Sequence, residues 1–209
     1  PEALHLAMLD AFSDYLVPLK PGLTEFQDML IQRSYDPALS MVAVIENRVA
    51  AFWFVGRRGN ACYLITSGCA PEHRRTGLSK QLGRLCLSAL QPVGAKTLQL
   101  EVIAGNAAAR SLYASLGFAE TRRLSCFALP ARPETSSPAD IVTDRPWRDV
   151  ASLAPKLRDW RPSWQKDDLS IQAAGDQAIC ATRHIAGERR GSALRLAHAA
   201  SIPAMAFHP

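Results

Sequence analysis

The stretch Cys69-Ala-Pro-Glu-His-Arg-Arg-Thr-Gly-Leu-Ser79 does most to decide the fold of this 209-residue chain. It lies between a sequence with strand character and a helical pattern that begins at Leu78. The first N–H groups of a helix have no acceptor within the helix, and the helix dipole places positive charge there. Gly77 lets those N–H groups approach a ligand closely, and Arg74 and Arg75 add charge. Together these features predict a site for a pyrophosphate.

The loop does not match the other phosphate-binding signatures. The chain has no G-x-x-x-x-G-K-[ST] sequence of a P-loop and no G-x-G-x-x-G sequence of a dinucleotide fold. Taken alone, a connection between a strand and a helix that contains a glycine is equally compatible with an ordinary turn.

A second segment supports the pyrophosphate interpretation. It reads Ala104-Gly-Asn-Ala-Ala-Ala-Arg-Ser-Leu-Tyr-Ala-Ser-Leu-Gly-Phe118. The side-chain amide of Asn106 is placed to cap the helix that follows, and Gly117 is placed at its C′ position. Asn106, Ala109 or Arg110, and Tyr113 recur at helical spacing and therefore share one face.

The two segments together resemble the GNAT superfamily of acetyl-CoA-dependent N-acetyltransferases. The loop pattern of the family, Gln/Arg-x-x-Gly-x-Gly/Ala, occurs here as Arg74, Gly77 and Ser79, with serine at the last position. The second pattern, Asn-x-x-Ala-x-x-Leu-Tyr-x-x-x-Gly-Phe, is complete from Asn106 to Phe118. The resemblance covers most of residues 1–130, and residues 11–15 with Pro18 also resemble the first helix of one branch of the superfamily.

The periodicity of the sequence predicts a mixed α/β sheet. The predicted elements begin with a helix over 4–15 and a helix from residue 24, which has a capping box at Thr24 and Gln27. Three strands follow, over 41–45, 49–55 and 62–68, and then a helix from residue 78 with Leu85 on its apolar face. The last elements are a strand over 97–102, a helix over 106–116 and a strand over 123–129. The resemblance implies a GNAT-like mixed central sheet with flanking helices. In that sheet two neighbouring parallel strands splay apart, here near Ala70 and Val102.

The resemblance also implies that acetyl-CoA is the co-substrate. Backbone groups of Cys69 and Ala70 would pair with the pantetheine arm, and the N–H groups from Arg75 to Lys80 would hold the pyrophosphate. The expected cofactor-binding residues are Cys69, Ala70, Arg74, Arg75, Thr76, Gly77, Leu78, Ser79, Lys80, Asn106, Ala109 and Tyr113.

Two residues are expected to take part in catalysis. The resemblance assigns to Tyr113 the protonation of the departing CoA thiolate, whereas a half-buried packing role is the alternative. Many family members carry a catalytic carboxylate on the strand before the loop, but residues 63–68 contain none. Glu101 is therefore our candidate for the general base, and Glu72 or a chain of water molecules are the alternatives. We reject Cys69 as a nucleophile because the sequence places no His or Asp to activate it.

The composition excludes several other classes of protein. Five scattered cysteines without a C-x-x-C pair argue against disulfides and zinc and favour a cytoplasmic location, and no histidine has the spacing of a metal ligand. The longest apolar runs are too short to cross a membrane. The net charge of +5 and the pI of about 9.2 come without interleaved aromatic residues, so we expect no nucleic acid partner.

The chain is predicted to contain two domains. We expect an acetyltransferase domain over residues 1–130, a linker over the Pro- and Ser-rich residues 131–138, and a partial, degenerate GNAT-like unit over 139–209. The last part should contain a helix over 149–160 and strands near 178–182 and 193–200. We expect this unit to shape the acceptor cleft or to form an interface, for example the interface of a homodimer. Its tryptophans Trp147, Trp160 and Trp164 are equally compatible with simple core packing.

The resulting functional hypothesis is an N-acetyltransferase. It would move an acetyl group from acetyl-CoA to a primary amine of a small molecule or a peptide, by direct attack in a ternary complex. The alternative is a catalytically weak regulatory or interaction module that binds acyl-CoA and keeps the same fold.

Overall fold

The computed structural model describes residues 1–124, 140–152, 162–175, 179–185 and 195–197. These residues fall into two compact units. The first contains residues 1–124, and the second contains the described residues from 140 to 197. The predicted linker and most of the predicted strand over 123–129 lie outside the described residues.

Two helices open the first unit, α1 (Glu2–Ala11) and α2 (Leu23–Gln32). The capping box predicted at Thr24 and Gln27 is wrong. Gly22 is the N-cap residue of α2, and its N–H donates to Glu25 Oε2 at 2.8 Å. The helix therefore begins earlier than predicted, because a glycine in extended conformation serves as the cap and Glu25 satisfies its N–H group.

The sheet of the first unit has four strands in the order β1-β2-β3-β4. They are β1 (Met41–Ile45), β2 (Arg48–Arg58), β3 (Ala61–Cys69) and β4 (Thr97–Gln99). The first three strands pair antiparallel, whereas β3 and β4 pair parallel. A two-residue turn joins β1 to β2, and positive φ angles of 48° at Glu46 and 60° at Asn47 match the turn that suits a twisted hairpin.

The parallel pairing of β3 with β4 is short. It runs from Ala61 opposite Thr97 to Tyr63 opposite Gln99 and then ends. Strand β3 continues to Cys69 with β2 as its partner, whereas the chain after Gln99 leaves strand conformation. The strand predicted over 97–102 is thus only half as long as expected, because the two parallel strands diverge beyond these pairs. This is the open edge that a splayed GNAT-like sheet requires.

Strand β2 is the centre of the core and is covered on both faces. Trp53 and Val55 belong to the cluster that includes Leu82 and Cys86 of α3 (Leu78–Leu90). The intervening Phe54 lies 6.2 Å from the ring of Phe26 in α2. A strand buried on both faces explains the uninterrupted apolar sequence there.

Helix α3 presents a narrower apolar face than the sequence suggested. It buries Leu82, Gly83, Cys86 and Leu90, whereas Leu85 is 57% exposed. The predicted inward position of Leu85 is therefore wrong, since the helix is rotated to bring Gly83 rather than Leu85 against the sheet. The last helix of this unit, α4 (Ala107–Ala114), begins after Asn106 as predicted.

The second unit contains a three-stranded antiparallel sheet in the order β5-β6-β7. Its described elements are β5 (Asp140–Pro146), α5 (Trp147–Val150), a 3₁₀ helix (Trp164–Lys166), α6 (Asp168–Ala173), β6 (Ile179–Ile185) and β7 (Arg195–Ala197). The predicted strands near 178–182 and 193–200 are confirmed, and β5 was missed. Trp147 and Trp164 are buried, which agrees with core packing, whereas Trp160 lies outside the described residues. The degenerate GNAT-like character of this unit stays a prediction.

Candidate active site

The loop between β3 and α3 offers a row of free backbone donors. A 3₁₀ turn over Pro71–His73 is followed by Arg75 with a φ of 64° and Gly77 with a φ of 87°. Within the described part of the chain, no hydrogen bond uses the N–H of any residue from Arg75 to Lys80, and the next N–H, that of Gln81, bonds to Gly77 O at 3.0 Å. Such a run of donors at a helix start fits an anion of the size of a pyrophosphate.

Gly77 is needed for this geometry because its φ of 87° lies in the left-handed region. A Cβ placed on Gly77 would meet no protein atom within 4 Å. A side chain at this position would therefore extend into space that no described protein atom fills.

The side chain of Arg74 is directed at protein acceptors. Its guanidinium donates to both carboxylate oxygens of Asp14 at 2.7 Å, to Ala11 O at 3.1 Å and to Cys69 O at 3.3 Å. The hydrogen bonds with Asp14 raise the pKa of Arg74 and lower that of Asp14. Arg74 was expected to place its charge beside the cofactor, but the carboxylate of Asp14 already balances that charge.

The backbone of Ala70 is also engaged within the protein. Its N–H donates to Ala50 O at 2.8 Å, and its carbonyl accepts the N–H of His73 at 3.0 Å. The part of β3 that has β2 as its only described partner runs from Leu64 to Cys69. This edge without a second described strand partner, rather than Ala70, offers strand-like hydrogen bonds to an extended ligand.

Ser79 contacts the central tryptophan of the sheet. The indole N–H of Trp53 donates to Ser79 Oγ at 3.3 Å, and Trp53 is fully buried. A buried indole N–H needs an acceptor, and the hydroxyl of Ser79 supplies it. The Trp53 ring also meets Tyr113 edge to face at 5.9 Å, so the loop and Tyr113 share one neighbour.

Tyr113 is held by the ends of α4. Asn106 Oδ1 accepts the N–H of Ala109 at 3.1 Å and caps the helix at its start. At the other end the N–H of Gly117 bonds to Ala114 O, and that of Phe118 bonds to Tyr113 O, which is the hydrogen-bond pattern of a Schellman motif. The predicted cap and C′ glycine are therefore confirmed, and the ring of Phe118 lies 5.8 Å from that of Tyr113.

The hydroxyl of Tyr113 lies 2.9 Å from Ser67 Oγ on β3. Burial raises the pKa of Tyr113, and the hydrogen bond with Ser67 opposes part of that rise. The phenol is consequently neutral at physiological pH and has a proton to donate. Ser67 belongs to the stretch of β3 beyond the parallel pairing, so this hydrogen bond lies at the open edge of the sheet.

Glu101 lies in the same cavity as Tyr113. The cavity has a volume of about 670 Å³ and is lined by residues 98–102 and by parts of α4 and of the segment 118–124. The hydroxyl of Tyr63 donates to Glu101 Oε2 at 3.3 Å. Burial lowers the pKa of the nearby Arg33, and the negative charge of Glu101 counteracts that effect. A carboxylate and a neutral phenol are thus available at one cavity.

The remaining candidates from the sequence lie outside this arrangement. Glu72 is exposed in the turn before the loop. Burial raises the pKa of the Cys69 thiol, which disfavours the thiolate needed of a nucleophile. Among the described residues, no three His, Cys, Asp or Glu side chains come together in a way that could hold a metal ion. The same residues include no helix long and apolar enough to cross a membrane.

The acetyltransferase (GNAT) family matches residues 6–118, which is more than half of the 209-residue chain. The chain belongs to this family. The match contains both the loop between β3 and α3 and the helix that carries Tyr113.

Individual relatives agree with the family. The ribosomal protein bS18-alanine N-acetyltransferase of Salmonella typhimurium is 37% identical over 82 residues, which are 39% of this chain and 55% of that protein. The chain thus spans about half the length of this curated relative. The crystal structure of the ribosomal-protein-S18-alanine N-acetyltransferase from Escherichia coli is 26% identical with a TM-score of 0.50, over 60% of this chain and 79% of that one. An aminoglycoside 6′-N-acetyltransferase from Acinetobacter haemolyticus is 18% identical with a TM-score of 0.48, over 63% and 96% of the two chains.

Three residues of this GNAT chain were missed by the sequence analysis. They are Ser67, which contacts Tyr113, Trp53, which contacts Ser79, and Asp14, which holds Arg74. Each contact joins segments at least 26 residues apart, so no local pattern could reveal it. The one available signal for such a contact was Ser79, at a position where the family has glycine or alanine. The structure shows that its partner is the indole N–H of Trp53.

Proposed function

We propose that this chain is an N-acetyltransferase that moves an acetyl group from acetyl-CoA to a primary amine. The observation that carries the proposal is the combination of a row of free N–H groups with a partly buried, neutral tyrosine, Tyr113. Trp53 links the two, because it contacts both Ser79 of the loop and Tyr113. The names of the relatives, which acetylate alanine of a ribosomal protein, support an amine as the acceptor.

The residues of the loop and of β3 fit acetyl-CoA. The N–H groups from Arg75 to Lys80 would bind the pyrophosphate, and the edge of β3 from Leu64 to Cys69 would hold the pantetheine arm. When bound, acetyl-CoA supplies an activated acetyl thioester. The small residues before Tyr113, among them Ala109, leave room beside the helix start capped by Asn106.

Tyr113 is assigned the role of general acid. Its raised pKa keeps the proton on Oη until the thiolate leaves, and the hydrogen bond with Ser67 fixes the direction of the phenol. Edge-to-face contacts with Trp53 and Phe118 hold the ring from two further sides. A proton held at a fixed position near the leaving group contributes through both chemistry and orientation.

Glu101 is assigned the role of general base. An amine that is protonated at neutral pH must lose a proton before it can attack, and Glu101 lines the same cavity as Tyr113. The hydroxyl of Tyr63 holds the carboxylate in place from β3. The acceptor would enter through this cavity, between the segment after β4 and helix α4.

Replacing Tyr113 by Phe tests the proposal. We expect turnover to fall by about 10²–10⁴-fold, which is the usual contribution of a general acid, with acetyl-CoA affinity within about twofold of the unmodified chain. Release of the CoA thiol would be followed with peptides that carry a free N-terminal alanine and with aminoglycosides. Tyr35→Phe, a change on the far face of β2 beside Phe54, is the matched control and should leave both quantities unchanged.

Two results would contradict the assignment. Unchanged turnover in Tyr113→Phe would remove the acid role. An unmodified chain that binds acetyl-CoA but transfers the acetyl group to none of the amines would favour the regulatory or interaction module instead.

A further inference from the structure

Asp14 lies just beyond the end of α1 and makes a bidentate ion pair with Arg74. Both contacts measure 2.7 Å, from Nη1 to Oδ2 and from Nη2 to Oδ1. The two residues are 60 positions apart in the sequence. Paired, parallel N–H···O bonds of this kind fix the guanidinium plane as well as its distance.

The guanidinium of Arg74 joins three segments at once. Besides Asp14 it donates to Ala11 O at the last residue of α1 and to Cys69 O at the last residue of β3. Arg74 itself is the residue that enters the loop of free N–H groups. One side chain therefore ties the end of α1, the end of the open strand and the start of the loop together.

The end of α1 is seated directly on the open strand. A Cβ on Gly68 would lie 2.7 Å from Ala11 Cβ and 2.5 Å from Phe52 Cζ, so the helix approaches β3 as closely as a glycine permits. Ala7, Met8 and Ala11 are buried there. Helix α1 is therefore in close contact with β3. The ion pair between Asp14 and Arg74 links the loop to this closely packed helix end.

We propose that Asp14 is a positioning residue for the acetyl-CoA site, and that it acts through Arg74. This inference rests on the proposed function, since it assumes that the loop binds the pyrophosphate. Asp14 orients Arg74, and Arg74 fixes the loop relative to the edge of β3 that would hold the pantetheine arm. Neither side chain needs to contact the cofactor, and the charge on the loop comes from its N–H groups and from neighbours such as Arg75 and Lys80.

The sign of the effect separates positioning from simple electrostatics. Removing a carboxylate near a pyrophosphate site reduces charge repulsion, so electrostatics alone predicts equal or tighter binding of acetyl-CoA. The positioning role predicts weaker binding. Asp10→Asn is the matched control, because Asp10 is on the same helix and close enough for its charge to act on Arg74 without a hydrogen bond to it.

The test is calorimetric titration of the full chain with acetyl-CoA for Asp14→Ala, Asp14→Asn and Arg74→Ala, and for the double variant Asp14→Ala/Arg74→Ala. We expect roughly tenfold weaker binding in the variants of either residue, within the usual range for such coupling. The double variant should bind as weakly as Arg74→Ala alone, since Asp14 acts only through Arg74. Asp14→Asn keeps the size of the side chain, so it remains informative if the alanine variant folds poorly.

The outcomes distinguish this inference from the proposed function. Unchanged or tighter binding in Asp14→Asn and Asp14→Ala, with normal binding by the unmodified chain, would overturn the inference alone. Additive losses in the double variant would also overturn it, because Asp14 would then act by another route. An unmodified chain that fails to bind acetyl-CoA would overturn the proposed function and, with it, the inference.

Discussion

The surroundings of Tyr113 are built by side chains from three elements. Ser67 comes from β3, Trp53 from β2 and Phe118 from the turn that ends α4. Among the residues that the structure describes, Ser67 alone makes a hydrogen bond with the phenol, on the stretch of β3 beyond its pairing with β4. At the scale of single residues, the behaviour of Tyr113 should therefore depend on this one hydroxyl group.

Burial raises the pKa of Tyr113, and the hydrogen bond between Ser67 and Tyr113 opposes that rise. An acid is active while protonated, so activity is lost as pH rises through its pKa. In Ser67→Ala the pKa should rise further, and the alkaline limb of the kcat profile should move to higher pH. The turnover number near neutrality should fall a few-fold because the phenol loses its orientation. The measurement is kcat against pH for the two chains.

Ser67→Thr keeps the hydroxyl group and should keep the profile of the unmodified chain. An alkaline limb in Ser67→Ala that stays in place or moves to lower pH would contradict the role of this hydrogen bond. Tyr113→Phe should lack the limb altogether, which assigns it to Tyr113.

At the scale of elements, helix α3 and the sheet meet at Gly83. A Cβ there would lie 2.6 Å from Leu116 Cδ1 and 2.8 Å from Trp53 Cζ2. The contact brings α3, β2 and the end of α4 together at Trp53, whose indole N–H also donates to Ser79 of the loop. The absence of a side chain at Gly83 therefore lets α3 and the end of α4 pack closely around Trp53.

Gly83→Ala should destabilise the fold although alanine favours helices. Forcing a methyl group into this packed contact costs about 1–3 kcal/mol, against a gain of roughly 1 kcal/mol in helix propensity. Acetyl-CoA affinity should fall as well, because Trp53 would have to move. Urea unfolding and calorimetric titration measure the two effects. Gly105→Ala is the control, since a Cβ on Gly105 meets no atom within 4 Å; equal stability of the two variants would contradict this account.

The local signals of the sequence predicted α4 correctly, whereas they predicted α2, α3 and β4 only in part. Asn106 and Gly117 act on their own helix, so their pattern was sufficient. The length of β4 and the exposure of Leu85 depend on how each element packs on its neighbours, so the periodicity of one segment does not predict them. The cap of α2 is different, because Gly22 and Glu25 form it locally and the prediction placed it at the wrong residues.

At the scale of the whole molecule, the contacts that complete the candidate site are long-range. The ion pair of Asp14 with Arg74 spans 60 residues, and the contact of Ser67 with Tyr113 spans 46. The family resemblance supplied the loop and Tyr113, because those residues recur in a fixed pattern. It could not supply Asp14, Ser67 or the partner of Ser79, since these contacts depend on the fold of this particular chain. The second unit contains an antiparallel three-stranded sheet, and its part in shaping the acceptor cleft or an interface stays a prediction.

The central claim is that the loop after β3 binds the pyrophosphate of acetyl-CoA, and calorimetric titration of the full chain with acetyl-CoA tests it most directly. Gly77→Glu would place a negative side chain in front of the free N–H groups. Gly94→Glu is the control, because Gly94 lies outside the loop, has a φ of 66° where Gly77 has 87°, and likewise has no atom within 4 Å of a Cβ. We predict saturable binding by the unmodified chain and by Gly94→Glu, and none by Gly77→Glu. Equal binding by Gly77→Glu, or no binding by the unmodified chain, would contradict the account.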